Sequence, residues 1–212
     1  MKKFGIVIGV FVALGVIVLI FIFIIGAFFA DGYNKLVKLS QNSDSKWAQV
    51  ENVYQRRADL VPNLVATVSG AANFEKSTLV EVTQARASVG QVQMDPNSAP
   101  TDPNKLAQFD QAQQQLSSAL SHLLVVVERY PNLTATENFR DLQAQLEGTE
   151  NRISVARMDF NQAVQDYDTA INSFPANLYA SHYGFKQKPY FQAAAGAETA
   201  PKVEFNFNNT NK

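Results

Sequence analysis

Few residues in this chain are suited to covalent or metal chemistry. There is no cysteine, which removes thiolate nucleophiles, disulfides and thiolate metal sites. The two histidines, His122 and His182, are not paired with other metal ligands at binding spacing, so neither a metal nor a cofactor is expected. What remains is polar. "RRADLVPNLVATV", Arg56 to Val68, places Arg56, Arg57, Asp59, Pro62 and Asn63 inside a run with helical apolar spacing. One reading is a cluster that binds a ligand or partner. The other is a structural joint. Pro62 has no amide hydrogen and frees a carbonyl near Ala58, which Asn63 or an arginine can satisfy, while Asp59 pairs with Asn63 one turn on. The joint is the expectation.

A second polar set, Glu150, Asn151, Arg157 and Asn161, is interleaved with an apolar helical stripe, and Arg86 joins it as a candidate. Glu150 and Arg157 share a face two turns apart, too far for direct pairing, so a bridge needs a residue between them or on another helix. An internal network that fixes helix register is expected, because unpaired buried charges cost several kcal/mol. Carboxylate catalysis would need two acids converging on a cleft. No nucleophile–base pair, phosphate loop or metal cluster is readable, so an enzyme is not expected.

The elements that must position these residues begin with an apolar run. Phe4 to Ala30 holds no charged residue. As a helix it would be roughly 40 Å long at about 1.5 Å per residue, against about 30 Å of bilayer hydrocarbon, so it should tilt or protrude. Phe28-Phe29-Ala30 puts bulk where a cleavage site wants small residues, which points to an uncleaved anchor in the lipid bilayer. Lys2 and Lys3 precede it, so residues 1–3 are expected in the cytoplasm and everything after Asp31 on the other side of the membrane. Gly5, Gly9 and Ala13 recur every four residues, a small-residue face suited to close helix packing in lipid.

Beyond the anchor, apolar residues recur at helical period in four segments: Trp47 to Val68, Leu79 to Val92, Leu106 to Val127 and Phe139 to Phe174. An all-α fold is predicted, an antiparallel up-down bundle of about four long helices over residues 31–175, the first running on from the anchor at 4–30. Asp102 with Pro103 should start the third helix. Pro131 should stop it, and Thr134 with Glu137 should form a capping box for the fourth. "PNLVAT" at Pro62 recurs as "PNLTAT" at Pro131, with an Ala-Arg pair well downstream of each, at Ala85-Arg86 and Ala156-Arg157, which suggests two hairpins with matching bends. Residues 176–192 are aromatic and expected to dock on the bundle; Tyr183, Phe185, Tyr190 and Phe191 are also candidate assembly contacts. In the tail, 193–212, alternating Val203, Phe205 and Phe207 suit one short strand between chains, with a disordered tail as the alternative.

These segments carry a family likeness. "RRADLVPNLVATV" with "NFEK" at Asn73 and "EVTQARA" at Glu81, then Tyr130 to Pro175, then "GFKQKPYF" at Gly184 to Phe191, resembles the LemA family from about Tyr33 to Phe191. The resemblance implies a bacterial single-pass membrane protein with a helical bundle outside the cytoplasm. It implies roles in the envelope and membrane stress, relatives that take part in making magnetosome membranes, and no established catalytic activity. Phe160 stands where the family has Tyr, and Asp168 where it has Asn. The tail after Phe191 lies outside the resemblance.

The net charge of −1 argues against nucleic acid. The expected function is a structural or interaction protein of the cell envelope, homo-oligomeric at the membrane, with another envelope membrane protein as a further candidate partner. The alternative is a sensor or ligand-binding domain working through a separate membrane partner.

Overall fold

The computed structural model describes residues 2–71 and 74–192, the side chains of residues 2–13 excepted. The fold is all-α, with no strand among the described residues. Its first helix, α1, runs without interruption from Lys2 to Ser69 and carries the apolar run and the first bundle helix as one rod. Side chains from Leu14 to Phe29 on it are exposed, with Phe28 and Phe29 at the edge of the bundle beside Tyr179. α1 is followed by α2 (Lys76–Gln91), α3 (Pro103–Val127), the single turn α4 (Pro131–Thr134) and α5 (Glu137–Asn172), then a 3₁₀ turn at Ala176–Leu178.

Four helices form the bundle as expected, but they are not equals. α5 lies along α1, and α2 pairs with α3. The 16 residues of α2 reach only part-way down the bundle. Far from the apolar run, Leu64, Val68, Val82, Leu116, Leu123 and Leu146 from all four helices make one aliphatic core. In the middle, Trp47, Phe109, Ile153 and Phe160 meet Phe191. Nearest the apolar run, Leu36, Tyr167 and Ile171 of α1 and α5 are joined by Ala176, Tyr179 and Ala180. Burying a residue such as Leu64 or Phe160 contributes about 1.5–3 kcal/mol relative to exposure.

The helix boundaries follow local chemistry. Asp102 caps α3 as expected, its carboxylate accepting the Asn104 amide at 2.9 Å, with Pro103 in the first turn. The predicted Thr134 capping box is corrected. Thr134 ends α4 and its hydroxyl donates to the Pro131 carbonyl, while Thr136 caps α5 by accepting the Phe139 amide at 3.4 Å. The matching bends predicted from the repeated hexapeptide are also absent: Pro62 sits inside a continuous helix, whereas Pro131 begins one, where its missing amide is harmless. The loop after α2 is pinned to α1. The Trp47 indole donates to the Asp95 carbonyl at 3.1 Å, and the Ala99 amide donates to Asp44 at 2.9 Å.

After α5 the chain turns through residues 173–184 and comes back along the bundle. Gly184, with φ of 83°, takes the left-handed conformation that glycine enters without strain. Residues 185–192 then lie as an extended strap against α1 and α5, where two helices alone would leave the core open. Gly5, Gly9 and Ala13 lie on α1 where side chains are outside the described set. Val203, Phe205, Phe207 and the strand expected there fall outside the described residues altogether.

Candidate functional site

The bundle interior holds three cations, each bound by groups of the chain itself. Arg57 is 1% exposed. Its guanidinium donates to Glu150 at 2.7 Å on α5, to Ser117 at 2.6 Å and the Gln113 carbonyl at 3.1 Å on α3, and to the Gln113 side-chain oxygen. It also lies 5.0 Å from the Tyr54 ring centroid, where the ring's negative face attracts it. Three helices are thereby held at one register. The Arg57 Nε is buried and has no hydrogen-bond partner.

The joint read from the opening motif is therefore not one cluster. Arg57 points inward, while Arg56, Asp59, Pro62 and Asn63 are exposed. Asp59 accepts from Gln55 at 3.0 Å, one turn back rather than from Asn63 one turn on. The carbonyl freed by Pro62 is indeed met by an arginine, but by Arg86 of α2, whose Nε donates to the Ala58 oxygen at 3.0 Å. Asn63 does not take that role, because its side chain faces solvent on the far side of the turn.

Arg157 on α5 is the second cation. It pairs with Asp110 of α3 at 2.7 Å, donates to the Tyr54 hydroxyl at 3.3 Å and to the Gln192 carbonyl at 3.2 Å, and covers the Phe191 ring at 4.4 Å. Asn161, one turn on, holds the strap by its backbone: its amide nitrogen donates to the Phe191 carbonyl and its oxygen accepts the Phe191 amide, both at 2.9 Å. Glu150 and Arg157 are thus not bridged to each other: each pairs with a residue of a different helix, Arg57 of α1 and Asp110 of α3. Asn151 is exposed and takes no part, because it stands one residue past Glu150 and off the buried face.

Lys188 of the strap is the third. Its ammonium binds Asp44 at 2.8 Å, the Ser40 hydroxyl at 3.2 Å and Ser43, and sits 4.9 Å from the Tyr167 ring centroid. Its amide donates to Asp168 at 3.2 Å. Burial raises the Asp168 carboxyl above the ordinary range, against the Lys188 amide, the Tyr190 hydroxyl and the Lys188 charge, which favour its ionised form. Burial, with Asp168 beside it, pushes the Tyr167 hydroxyl up to about 12. Lys188, Asp44, Gln113, Ser117 and Asp110 were not singled out from sequence. The aromatic segment was expected to dock, but a lysine flanked by Gln187 and Pro189 carries no local sign that its ammonium will be the buried group.

Among the four aromatic assembly candidates, Phe191 is corrected. It is buried, stacked at 6.1 Å on Trp47 and edge-on to Phe160 at 5.7 Å. Tyr183 and Phe185 meet Tyr33 of α1 at 5.4 and 5.6 Å. Tyr190 stays partly exposed with its hydroxyl 3.5 Å from Asp168.

One recess is lined by mixed chemistry. A cleft of about 560 Å³ between α1, α2 and the loop after α2 is walled by Tyr54, Val89, Met94 and Phe109, with Glu51, Gln55, Arg86 and Gln113 as polar groups. Oε2 of Glu51 is buried there without a hydrogen-bond partner. Burial, and secondarily the charge of Asp95, raises the Glu51 carboxyl above its usual value. Among the described residues, no three of His, Asp and Glu gather as metal ligands would.

A rod whose apolar end is long and apolar enough to cross a bilayer continues into a bundle whose charged side chains tie helix to helix, the build of a membrane-associated helical-bundle protein. Residues 46–205 match the LemA family, and the chain belongs to it. The match starts later than the resemblance read from Tyr33 and runs past Phe191 to include Val203 and Phe205, so part of the tail is shared with the family after all. Magnetosome protein MamQ 2 of Paramagnetospirillum magneticum (strain AMB-1) is 26% identical over 193 residues, covering 79% of this chain and 67% of the relative. Magnetosome protein MamQ of Magnetospirillum gryphiswaldense is 26% identical over 182 residues with the same coverage. Protein LemA of Metamycoplasma hominis is 23% identical over 180 residues, covering 84% of this chain and 78% of the relative.

Proposed function

We propose that this chain is a structural and interaction protein of the bacterial cell envelope, held in the inner membrane by α1 and self-associating there, with residues 1–3 in the cytoplasm and the bundle on the periplasmic or extracellular side. It carries out no catalysis in this reading. The observation that supports it is the use of the interior charges. Arg57, Arg157 and Lys188 direct their donors to Glu150, Asp110 and Asp44 of other elements, so the polar interior serves rigidity. A stiff rod and bundle suits a protein that holds surfaces at a fixed distance from a membrane. Lys2 and Lys3 favour the stated orientation. Self-association has the Gly5, Gly9 and Ala13 face as its candidate seam, possible partners being a second copy or another envelope membrane protein. Light scattering on the detergent-solubilised full chain tests it. A multimeric mass that falls when Gly5 and Gly9 are replaced by Leu is expected, and a monomer at low micromolar concentration would end the self-association. A C-terminal tag on spheroplasts should be lost to added protease; its protection would reverse the orientation.

The cleft beside Glu51 favours a second reading, a ligand-binding bundle that signals through a separate membrane partner. Its size suits a small molecule, and the unpartnered Glu51 oxygen offers one hydrogen bond. A small-molecule thermal-shift screen with hits abolished by Glu51→Gln would move the assignment to this reading.

A further inference from the structure

The turn that follows α5 comes to rest beside the apolar part of α1. Tyr179 meets Phe29 edge-on at 5.3 Å, and Tyr183 meets Tyr33 at 5.4 Å. Gly32 lies between these two α1 positions, and a Cβ there would collide with the Tyr179 hydroxyl, so glycine permits the close approach. Phe28, Gly32, Phe174, Pro175 and Tyr179 line one recess of about 560 Å³. Residues 174–183 are therefore level with the end of the uncharged run that closes at Ala30.

At this level the turn exposes large apolar side chains. Phe174 is 80% exposed, Leu178 69% and Tyr183 61%. Elsewhere on the bundle helices such residues stand singly, as Val80 and Val125 do, or as the pair Val155 and Met158. Here three fall within ten residues, beside the exposed Lys35, Lys38 and Lys186. Aromatic rings and lysines at the end of a membrane helix match the chemistry of the headgroup layer, where rings lie among the upper acyl chains and ammonium groups reach phosphate. The anchor's length points the same way. At roughly 40 Å against about 30 Å of hydrocarbon, up to about 10 Å of apolar helix is surplus. Tyr179 already covers part of Phe29 at the end where that surplus would emerge.

We propose that the turn from Phe174 to Tyr183 is a second membrane contact, a foot that sets Phe174 and Leu178 into the headgroup–acyl boundary of the bilayer that α1 enters. The occupant is lipid, because the exposed rings are continuous with the apolar surface of the anchor. The foot fixes the bundle's tilt, since a rod anchored at one point can lean whereas one with a second contact beside it cannot. Asp31 and Asp166 line the same recess as Lys35, so the foot carries both signs of charge and does not require anionic lipid. The inference rests on α1 crossing the membrane, and the experiment separates the two.

The absence of cysteine makes site labelling clean. Full-length Phe23→Cys, Phe174→Cys, Leu178→Cys and Val125→Cys variants are each labelled with an environment-sensitive fluorophore and reconstituted in phosphatidylcholine vesicles. Quenchers are placed on the lipid at shallow or deep positions. Labels at Phe174 and Leu178 should be quenched by the shallow probe at least twofold more than the label at Val125, and the Phe23 label most by the deep probe. If Phe23 is quenched while Phe174 and Leu178 match Val125, the foot is wrong and the anchor stands. If Phe23 is not quenched, both fall. Shielding of Phe174 from aqueous iodide that disappears on dilution into excess lipid, without lipid quenching, would show a second copy covering the turn and overturn the proposal.

Discussion

Around Leu64, Leu116, Leu123 and Leu146, four helices close on an aliphatic core. Around Leu36, Tyr167 and Ile171, only α1 and α5 are present, and the 173–192 segment supplies the other walls. The first region is held by apolar packing from every side, with Arg57 as its polar lock toward the middle of the bundle. The second is tied by Lys188 of the strap where helices are missing, its amide donating to Asp168 and its ammonium to Asp44, and in the middle region next to it Asn161 holds the backbone of Phe191. The difference shows how a two-helix stalk can stay a single rod without more helices. A strap of eight residues suffices when its main-chain groups are satisfied by side chains on the helices, because an unpaired buried group costs about 1–3 kcal/mol.

If the four-helix region is locked as a unit, the largest effect should come from Arg57→Ala. It leaves the Gln113 carbonyl without its donor and opens a cavity between three helices, while Glu150 is exposed enough for water to replace its partner, for a loss of about 3–5 kcal/mol from the cavity and the stranded carbonyl. The loss should appear as one lowered denaturant midpoint for the whole bundle. A shift below about 1 kcal/mol would mean that the lock is dispensable and the aliphatic core alone sets register. Phe191→Ala is comparable in gross size, since a buried Phe truncated to Ala costs about 3–5 kcal/mol, but its effect should be local. Hydrogen exchange should quicken at residues 185–192 and in the 173–184 turn, while amides around Leu116 and Leu146 keep their protection. Equal loss in both regions would erase the contrast between them.

Glu51 gives a smaller effect with a pH signature. Its folded-state pKa is raised, by burial first and by Asp95 second. The folded state therefore favours the neutral acid. That contribution is complete below the unfolded pKa and is lost as pH rises through the folded value, so the ionised carboxylate at neutral pH is a penalty. Glu51→Gln should raise the melting temperature at pH 7, by an amount that shrinks as the pH is lowered toward the ordinary glutamate range. Asp95, Arg86 and Tyr54 share the cleft or its edge, so the comparison should be made at constant ionic strength. A gain independent of pH would assign the effect to packing.

What could be read from sequence was whatever depends on neighbours along the chain. Helical period, the Asp102 cap, the breaks at Pro131 and Pro175 and the continuous α1 are all local. So was the reasoning that Pro62 leaves the Ala58 carbonyl needing a donor and that an arginine can supply it. Which arginine was not local. Arg86 reaches Ala58 because of the register between α2 and α1, and Arg57 reaches Glu150 because of the register between antiparallel α1 and α5. An apolar stripe with helical period fixes which face is inward but tolerates sliding by a turn, so it cannot name partners. Thr134 and Thr136 illustrate a smaller ambiguity, two residues with the same capping chemistry only two positions apart, decided by the α4 turn that Pro131 starts. Lys188 was hidden for another reason: its partners Ser40, Ser43 and Asp44 read as a polar surface until the strap is laid over them.

The smallest expected effect tests the one joint that local reasoning found. Any residue but proline at position 62 would donate its amide to the Ala58 carbonyl, so the Arg86 bond should exist because Pro62 does not. Arg86→Ala in the native background should cost about 0.5–1 kcal/mol, at the low end for a hydrogen bond because Arg86 is exposed and water can take its place. Pro62→Ala should stabilise the chain. It restores the helix bond and removes the ring clash, which is worth up to about 3 kcal/mol, offset by about 0.4–1 kcal/mol of regained unfolded-state freedom. In that background the Ala58 oxygen already has its donor, so Arg86→Ala should cost less, with a coupling of about 0.5 kcal/mol across the four-variant cycle. Denaturant melts of the four proteins measure it. Equal cost in both backgrounds would mean that Arg86 serves the Glu51 cleft rather than the joint, and the packing of α2 on α1 would then lack the polar tie that α5 has through Arg57.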